Sequence, residues 1–422
     1  MRGPRRTAEL HEAQRAAAAS DAAARVLAEG AADAGLAWPA VAWARLGGSL
    51  AERLAANPFM MAPMAGVTDA AYRLMARAGG AALAYSEMVS VAGIHYKSDK
   101  TWELVDPNPA EPELAVQLFG ADVDHFREAV PLVAERLGGR LALVDVNMAC
   151  PVPKVTKSGA GSALLDEPLL AADIVRAIRD ELDACGRGEV PVTAKIRIGR
   201  RPDAVVGPEF ARTLEAAGAE AIAVHGRVAS QLYRGQSNAA EVRRVVGAVG
   251  VPVIASGDAL DGARAAALLA GTGAAGCFVA RGSYGNPWVF RSAGCELAKA
   301  RALAGSSECA READAGGHGG GVSGRVIAPC EDSPCDGAPC DAAPEVTPEV
   351  ATEVTPSMRL AAFRLHVRLL EATGAHIARA RSLAGWYLRG VPEAAAWRER
   401  AMHCAGASDY LALADELEAS LG

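Results

Sequence analysis

Cys150 stands in the segment DVNMACPVPKVTKSGAGSALL, which runs from position 145 to 165. The preceding run, 141–147, is apolar and of strand type, and Pro151 ends the strand and fixes the backbone of the turn. A thiol at a strand end, followed by a loop rich in Lys and Gly, is placed for reaction; structural cysteines sit within apolar elements. Lys154, Lys157 and the glycines after them suit an anionic ligand.

Other apolar runs close in a similar way, on polar residues or on a glycine-containing loop. The segments are Ala62-Pro63-Met64-Ala65-Gly66, Ser86-Glu87-Met88, Asn147, Lys195 with Arg197, His225-Gly226-Arg227, Ser256-Gly257-Asp258 and Ala280-Arg281-Gly282, and the third run contains Gln117. Each alone has an ordinary structural reading: Lys195 can snorkel, His225 can be a satisfied core histidine, and Gln117 can cap a loop. Gathered on one rim, Lys, His and Arg beside glycine-lined backbone make a site for a phosphate and a flat ring. No His, Asp and Glu cluster has ligand spacing, so no metal is expected.

The elements that must gather them are short strands alternating with Ala- and Leu-rich helices. Strand candidates are 59–62, 81–86, 114–119, 142–147, 192–196, 221–225, 253–256 and 277–280. Eight parallel strands in βα repeats, over about 230 residues, fit an α/β (β/α)8 TIM barrel with a C-terminal helical bundle. A doubly wound sheet is the runner-up, but no GxGxxG follows the first strand. Residues 1–56, rich in Ala with few large side chains, read as a weakly ordered helical extension, and 57–303 as the barrel. Residues 304–357 are a Gly-, Ser- and Pro-rich linker or insertion, and 358–422 a helical unit with apolar positions at helical intervals. Within the insertion Cys330, Cys335 and Cys340 recur every five residues; that spacing matches no zinc pattern, and the bland reading is preferred.

The chain of 422 residues carries a net charge of −7, which taken alone counts against a nucleic-acid partner. Locally the balance reverses: residues 358–404 hold eight arginines against three acids. Arginine is the residue suited to bidentate phosphate contact. No window is apolar and long enough for a membrane span, and the start lacks a secretory pattern, so the expectation is a cytoplasmic monomer with no membrane or protein partner. Nine scattered cysteines suit reduced thiols better than a disulfide framework.

The stretches MAPMAGVTDAAYR (61–73), VQLFG (116–120), DVNMACPVPKV with GAGSALL (145–165), VTAKIRIG (192–199), AVHGR (223–227), ASGDA (255–259) and VARGSYGNPWVF (279–290) together resemble the tRNA-dihydrouridine synthases, in their bacterial B-type branch. The resemblance spans about 58–290 closely and 358–404 more loosely. It implies an FMN-binding TIM barrel followed by a helical tRNA-binding domain, and NADPH- or NADH-dependent reduction of the uracil 5,6 double bond. Cys150 would then be the general acid. Pro63, Met64 and Ala65 would line the flavin ring, Gln117 and Lys195 would bond its polar edge, and His225 would contact it. Ser256, Gly257, Asp258, Ala280 and Arg281 would hold the ribityl phosphate, with Ser256 and Ala280 standing where Asn and Gly are usual. Asn147 would flank the base, and Lys154, Lys157, Arg227, Arg379 and Arg381 would contact the tRNA.

The chemistry agrees with the residues. Hydride transfer needs a cofactor, while the protein supplies orientation and one proton donor, and an ordinary thiol near pKa ~8.5 is protonated at neutral pH. Two other readings stand beside it: a flavin barrel acting on free pyrimidines, and an RNA-binding protein without turnover. The Arg-rich C-terminal unit speaks against the first, and Cys150 with the intact flavin set against the second.

Overall fold

The computed structural model describes residues 22–39, 43, 48–315 and 353–421. Eight parallel strands form one sheet: β1 (Phe59–Met61), β2 (Tyr85–Ser90), β3 (Leu114–Phe119), β4 (Leu141–Met148), β5 (Val192–Arg197), β6 (Ala221–His225), β7 (Val253–Ser256) and β8 (Gly276–Val279). Each pairs with its neighbours in sequence, and β8 pairs with β1. The seam between β1 and β2 closes through a bridge from Met61 to Ala84, with the Met61 N–H donating to the Leu83 carbonyl at 3.0 Å. The result is a closed TIM barrel. Its helices are α1 (Ala70–Ala78), α2 (Asp99–Val105), α3 (Val123–Leu137), α4 (Pro168–Ala184), α5 (Gly207–Ala216), α6 (Ala239–Val246), α7 (Gly262–Thr272) and α8 (Val289–Ala315).

The second strand departs from expectation: the run 81–86 was read as strand, and β2 begins at Tyr85 and continues to Ser90. Ala81–Ala84, three alanines and Leu83, are buried and lie along β1, where the Ala82 N–H donates to the Phe59 carbonyl at 2.8 Å. Beyond them the register to β3 slips between Tyr85 and Met88. At that slip the Gln117 N–H bonds the Ser86 hydroxyl, at 3.0 Å, in place of a main-chain carbonyl. The polar pair Ser86-Glu87, which reads as a strand end, therefore sits at a bulge inside one.

Side chains alternate across each strand, so the inward set can be followed up the barrel. Apolar groups fill the lower layer, among them Met60, Tyr85, Ala115, Leu143, Ala223, Ile254 and Phe278, with Tyr85 edge-on to Phe278 at 4.9 Å. Above them, two residues on, come Gln117, Asp145, Lys195, His225 and Ser256, all buried. Charge thus begins where the apolar floor ends.

C-terminal helices α9 (Pro356–Ala372), α10 (Ala380–Tyr387), α11 (Ala394–Met402) and α12 (Ala407–Leu421) share a second core with Leu74 and Met75 of α1, with Trp288, and with Leu27 and Leu36 of the N-terminal segment. Residues 22–30 are helical, and the Trp288 indole donates to the Ala34 carbonyl at 2.7 Å. Residues 1–21 and the segment holding Cys330, Cys335 and Cys340 lie outside the described residues. The barrel meets the bundle closely: Tyr284 stacks on Trp386 at 4.2 Å, and a Cβ on Gly285 would stand 2.6 Å from the Trp386 backbone.

Beneath this junction Arg73 of α1 forms a two-pronged pair with Glu111, at 2.6 and 2.7 Å, and donates to the Thr68 carbonyl at 2.9 Å. Both side chains are almost fully buried, at 4% and 2% exposure. Removing one partner leaves an uncompensated buried charge. Glu111→Gln should lower unfolding stability by about 3–5 kcal/mol in urea titration, and a loss under about 1 kcal/mol would show that the pair does not hold α1 in place.

Candidate active site

The mouth is built on β3 to β6. On its floor the Asp145 carboxylate accepts from Gln117 Nε2 at 2.6 Å and from Thr193 Oγ1 at 2.6 Å. Gln117 Oε1 accepts from Asn147 Nδ2 at 2.8 Å, and Asn147 Oδ1 accepts from the N–H groups of Cys150 and Ala149, at 2.9 and 3.2 Å. Burial raises the Asp145 carboxyl to about 6, against the hydrogen bonds from Gln117 and Thr193 and the charge of Lys195. Lys195 is lowered to about 8, first by burial and then by Arg197, with Asp145 and Cys150 opposing. Burial and the cations Lys195, Arg197, Arg227 and Arg281 push His225 well below its ordinary value. His225 is therefore neutral at physiological pH and acts as a hydrogen-bonding ring.

Cys150 is half-buried on the loop after β4. Its carbonyl accepts from the Ser162 N–H at 2.9 Å, and Gly161, at φ +62°, has no room for a Cβ, which would lie 2.7 Å from the same oxygen. Arg197 donates to the carbonyls of Ala149, Val228 and Leu232, so it ties the thiol's loop to the loop after β6. Lys154 and Lys157 are exposed on the segment that follows it.

A cleft of about 610 Å³ opens between the loops after β6, β7 and β8, lined by Tyr233, Ser237, Gly257, Asp258, Leu268 and Arg281 among others. Gly257 adopts φ +120°, and a Cβ there would meet Ser237 Oγ at 2.4 Å and His225 Cδ2 at 2.9 Å. Only glycine fits. Asp258, at φ +60°, accepts from Arg227 Nη2 at both carboxylate oxygens (2.9 and 2.8 Å), from the Ser237 N–H at 2.8 Å and from Arg281 at 3.3 Å. Burial would raise its carboxyl, but the Ser237 N–H, Arg227 and Arg281 together hold it below the usual range.

Two arginines expected to touch RNA are engaged elsewhere. Arg227 is buried, bonded to Asp258 and to the carbonyls of Arg234 and Gly235, because the loop after β6 folds back over it. Arg379 reaches from the bundle to Asp69 at 3.0 Å and Glu87 at 3.1 Å. Glu87 in turn accepts from the Gly66 N–H at 2.5 Å, within the loop of Pro63, Met64 and Ala65. Arg364, Arg368 and Arg400 pair with Asp415, Glu29 and Glu416, so the arginine excess counted to Cys404 is partly neutralised by α12 and the N-terminal segment. Arg381, Arg389 and Arg398 are exposed and form no ion pair among the described residues. The mouth also recruits Asp145, Thr193, Tyr233 and Ser237, which the spacing of polar strand ends did not single out. For Asp145 a signal existed: a lone carboxylate within an apolar strand.

A closed barrel whose mouth joins a glycine-lined cleft, a neutral histidine and a rim thiol is that of a TIM-barrel enzyme. The family model described as "Dihydrouridine synthase (Dus)" matches residues 60–313. tRNA-dihydrouridine synthase B of Shewanella oneidensis is 37% identical over 235 residues, covering 56% of this chain and 70% of that protein. Its counterpart in Escherichia coli strain K12 is 37% identical over 236 residues, with 56% and 70% covered. That of Pseudomonas syringae pv. tomato is 38% identical over 236 residues, with 56% and 67% covered. The chain belongs to the dihydrouridine synthase family, in its bacterial B-type branch, and is an oxidoreductase acting on tRNA uridine. No helix among the described residues is long and apolar enough to cross a membrane.

Burial raises the Asp69 carboxyl, and Arg379 is the leading influence against that rise. A carboxyl raised by folding weakens the fold as pH climbs from the ordinary Asp value of ~3.9 past its folded pKa. Without Arg379 the rise is larger, so Arg379→Met should cost about 1–2 kcal/mol at pH 7 and clearly less at pH 4. Urea midpoints at the two pH values measure this; an equal loss at both would contradict the latch.

Proposed function

We propose that this chain reduces specific tRNA uridines to 5,6-dihydrouridine with FMN as its resident cofactor, and that Cys150 is the proton donor. The observation that carries the reading is the placement of the Cys150 thiol on a loop pinned by Asn147, Arg197 and Ser162, beside the mouth. FMN bound there would supply the hydride entering C6 of the uracil, with NADPH, or NADH, as its source.

The residues present fit such a cofactor. Pro63, Met64 and Ala65 would line one wall for the ring, Gln117 and Lys195 would hold its polar edge, and the neutral His225 would contact it. Gly257 lets backbone approach a phosphate where any side chain would clash. Ser256, Ala280 and Arg281 complete that end. Asp258 serves through its backbone N–H, because its carboxylate is occupied by Arg227, Arg281 and Ser237.

Cys150 delivers its thiol proton to C5, and Asn147 flanks the base. Lys154, Lys157 and Arg381 contact tRNA phosphates, and the unit 358–422 serves as the tRNA-binding domain appended to the barrel 57–303. Arg227 and Arg379 leave that list and act as structural clamps. A base buried in folded tRNA must be turned out of its stack, costing a few kcal/mol that phosphate contacts offset. The tRNA substrate puts the protein in the cytoplasm.

Cys150→Ala should retain bound FMN and lose about 10²–10⁴-fold in dihydrouridine formation on tRNA from cells lacking the gene. Full activity would remove the general-acid role, and a wild-type protein with no flavin affinity would end the enzyme reading. Gly257→Val should weaken FMN binding by about tenfold or more, since φ +120° is strained for valine and its Cβ clashes with Ser237 and His225. Unchanged affinity in a flavin titration would place the phosphate elsewhere.

A further inference from the structure

Asp145 lies under the mouth with no part in the steps above, yet it heads a chain of hydrogen bonds that ends at the thiol's own backbone. An ionised carboxylate only accepts. Gln117 must therefore present its NH2 group downward, at 2.6 Å, and its carbonyl oxygen upward, where it accepts from Asn147 Nδ2 at 2.8 Å. Asn147 is then forced to present Oδ1 to the N–H groups of Cys150 and Ala149, at 2.9 and 3.2 Å. Either amide taken alone could be turned end for end. With an acceptor at the base and two donors at the top, one arrangement satisfies every group.

Holding a bare carboxylate at 1% exposure is costly, and Thr193 Oγ1, donating at 2.6 Å, offsets part of that cost. A leucine would fill the same strand position without it. We propose that Asp145 is a positioning residue for uridine reduction: it sets the polarity of the Gln117–Asn147 amide chain and so fixes the Cys150 loop. The inference rests on the proposed role of Cys150. Protonation of Asp145 would weaken the anchor at the base, leaving the N–H groups of Cys150 and Ala149 alone to hold the order of the two amides. The groups facing it are Gln117 from β3, Thr193 and Lys195 from β5, and the Tyr85 hydroxyl from β2, close enough to feel its charge. Burial raises its pKa to about 6, so the chain is anchored most firmly above that pH and loosened below it.

The test uses FMN-loaded full-length protein, NADPH and tRNA from cells lacking the gene. Asp145→Asn, which has both a donor and an acceptor, should slow dihydrouridine formation tenfold or more while changing flavin reduction by NADPH less than threefold. In wild type the uridine half-reaction should fall off below about pH 6, and Asp145→Asn should lack that acid limb. Placed on a Cys150→Ala background, Asp145→Asn should add less than twofold. Thr193→Val, which keeps the Gln117 link but removes one donor to the carboxylate, should move the limb upward and serves if the Asn variant does not fold. Equal slowing of both half-reactions, a fully additive double variant, or a limb unmoved by Thr193→Val would each overturn the inference. A wild-type protein inactive on tRNA would instead overturn the proposed function.

Discussion

Placing charge inside a closed barrel is the constraint on which this structure depends. Desolvation opposes every ionised group in the mouth: it raises Asp145, lowers Lys195 and keeps His225 neutral. Asp145 persists because neighbouring strands bring it donors, Gln117 from β3 and Thr193 from β5. The parallel ladder supplies those partners in register, with Gln117 beside Asp145 and Asn147 beside Lys195. A one-residue slip of β4 would turn Asp145 and Asn147 outward and leave Thr193 and Gln117 unpaired. The irregularity on β2 falls beside Gln117 of the polar layer, where the Ser86 hydroxyl takes the place of a main-chain acceptor.

The same economy of partners governs the junction with the C-terminal helices. Arg73, Arg77 and Arg379 all point into the barrel side of that junction, toward Glu111, Glu113, Asp69 and Glu87. Glu87 reaches onward to Gly66, so a bundle arginine and the loop after β1 share one carboxylate. Trp386 stacks on Tyr284, three residues from Arg281 at the cleft between the loops after β6, β7 and β8. The bundle is therefore bonded to two loops of the mouth. Its placement and the shape of the site are not independent.

Much of this was legible in the residues. Alternating apolar strands and helices gave the barrel, and the stop after Cys150 located the thiol, because Pro and Gly mark strand ends for local reasons. Less was legible where function depends on who pairs with whom. Arg227 and Arg379 look alike to a sequence count, as basic residues beside RNA-facing motifs, but long-range pairing commits both to barrel carboxylates. The arginine excess from Met358 to Cys404 likewise omits the acids of α12, which fold back on Arg364 and Arg400. The β2 boundary was misplaced because a serine hydroxyl substitutes for a backbone acceptor, a device with no periodic signature.

The central claim is that the mouth passes reducing equivalents to a uridine presented by tRNA, not to a free pyrimidine. Anaerobic mixing of the photoreduced, FMN-loaded protein with tRNA lacking dihydrouridine, followed by flavin absorbance, tests it directly. Rapid reoxidation is predicted, with one dihydrouridine formed per flavin, and free uracil or uridine should leave the flavin reduced. Equal reoxidation by free uracil, or none by tRNA, would contradict the account.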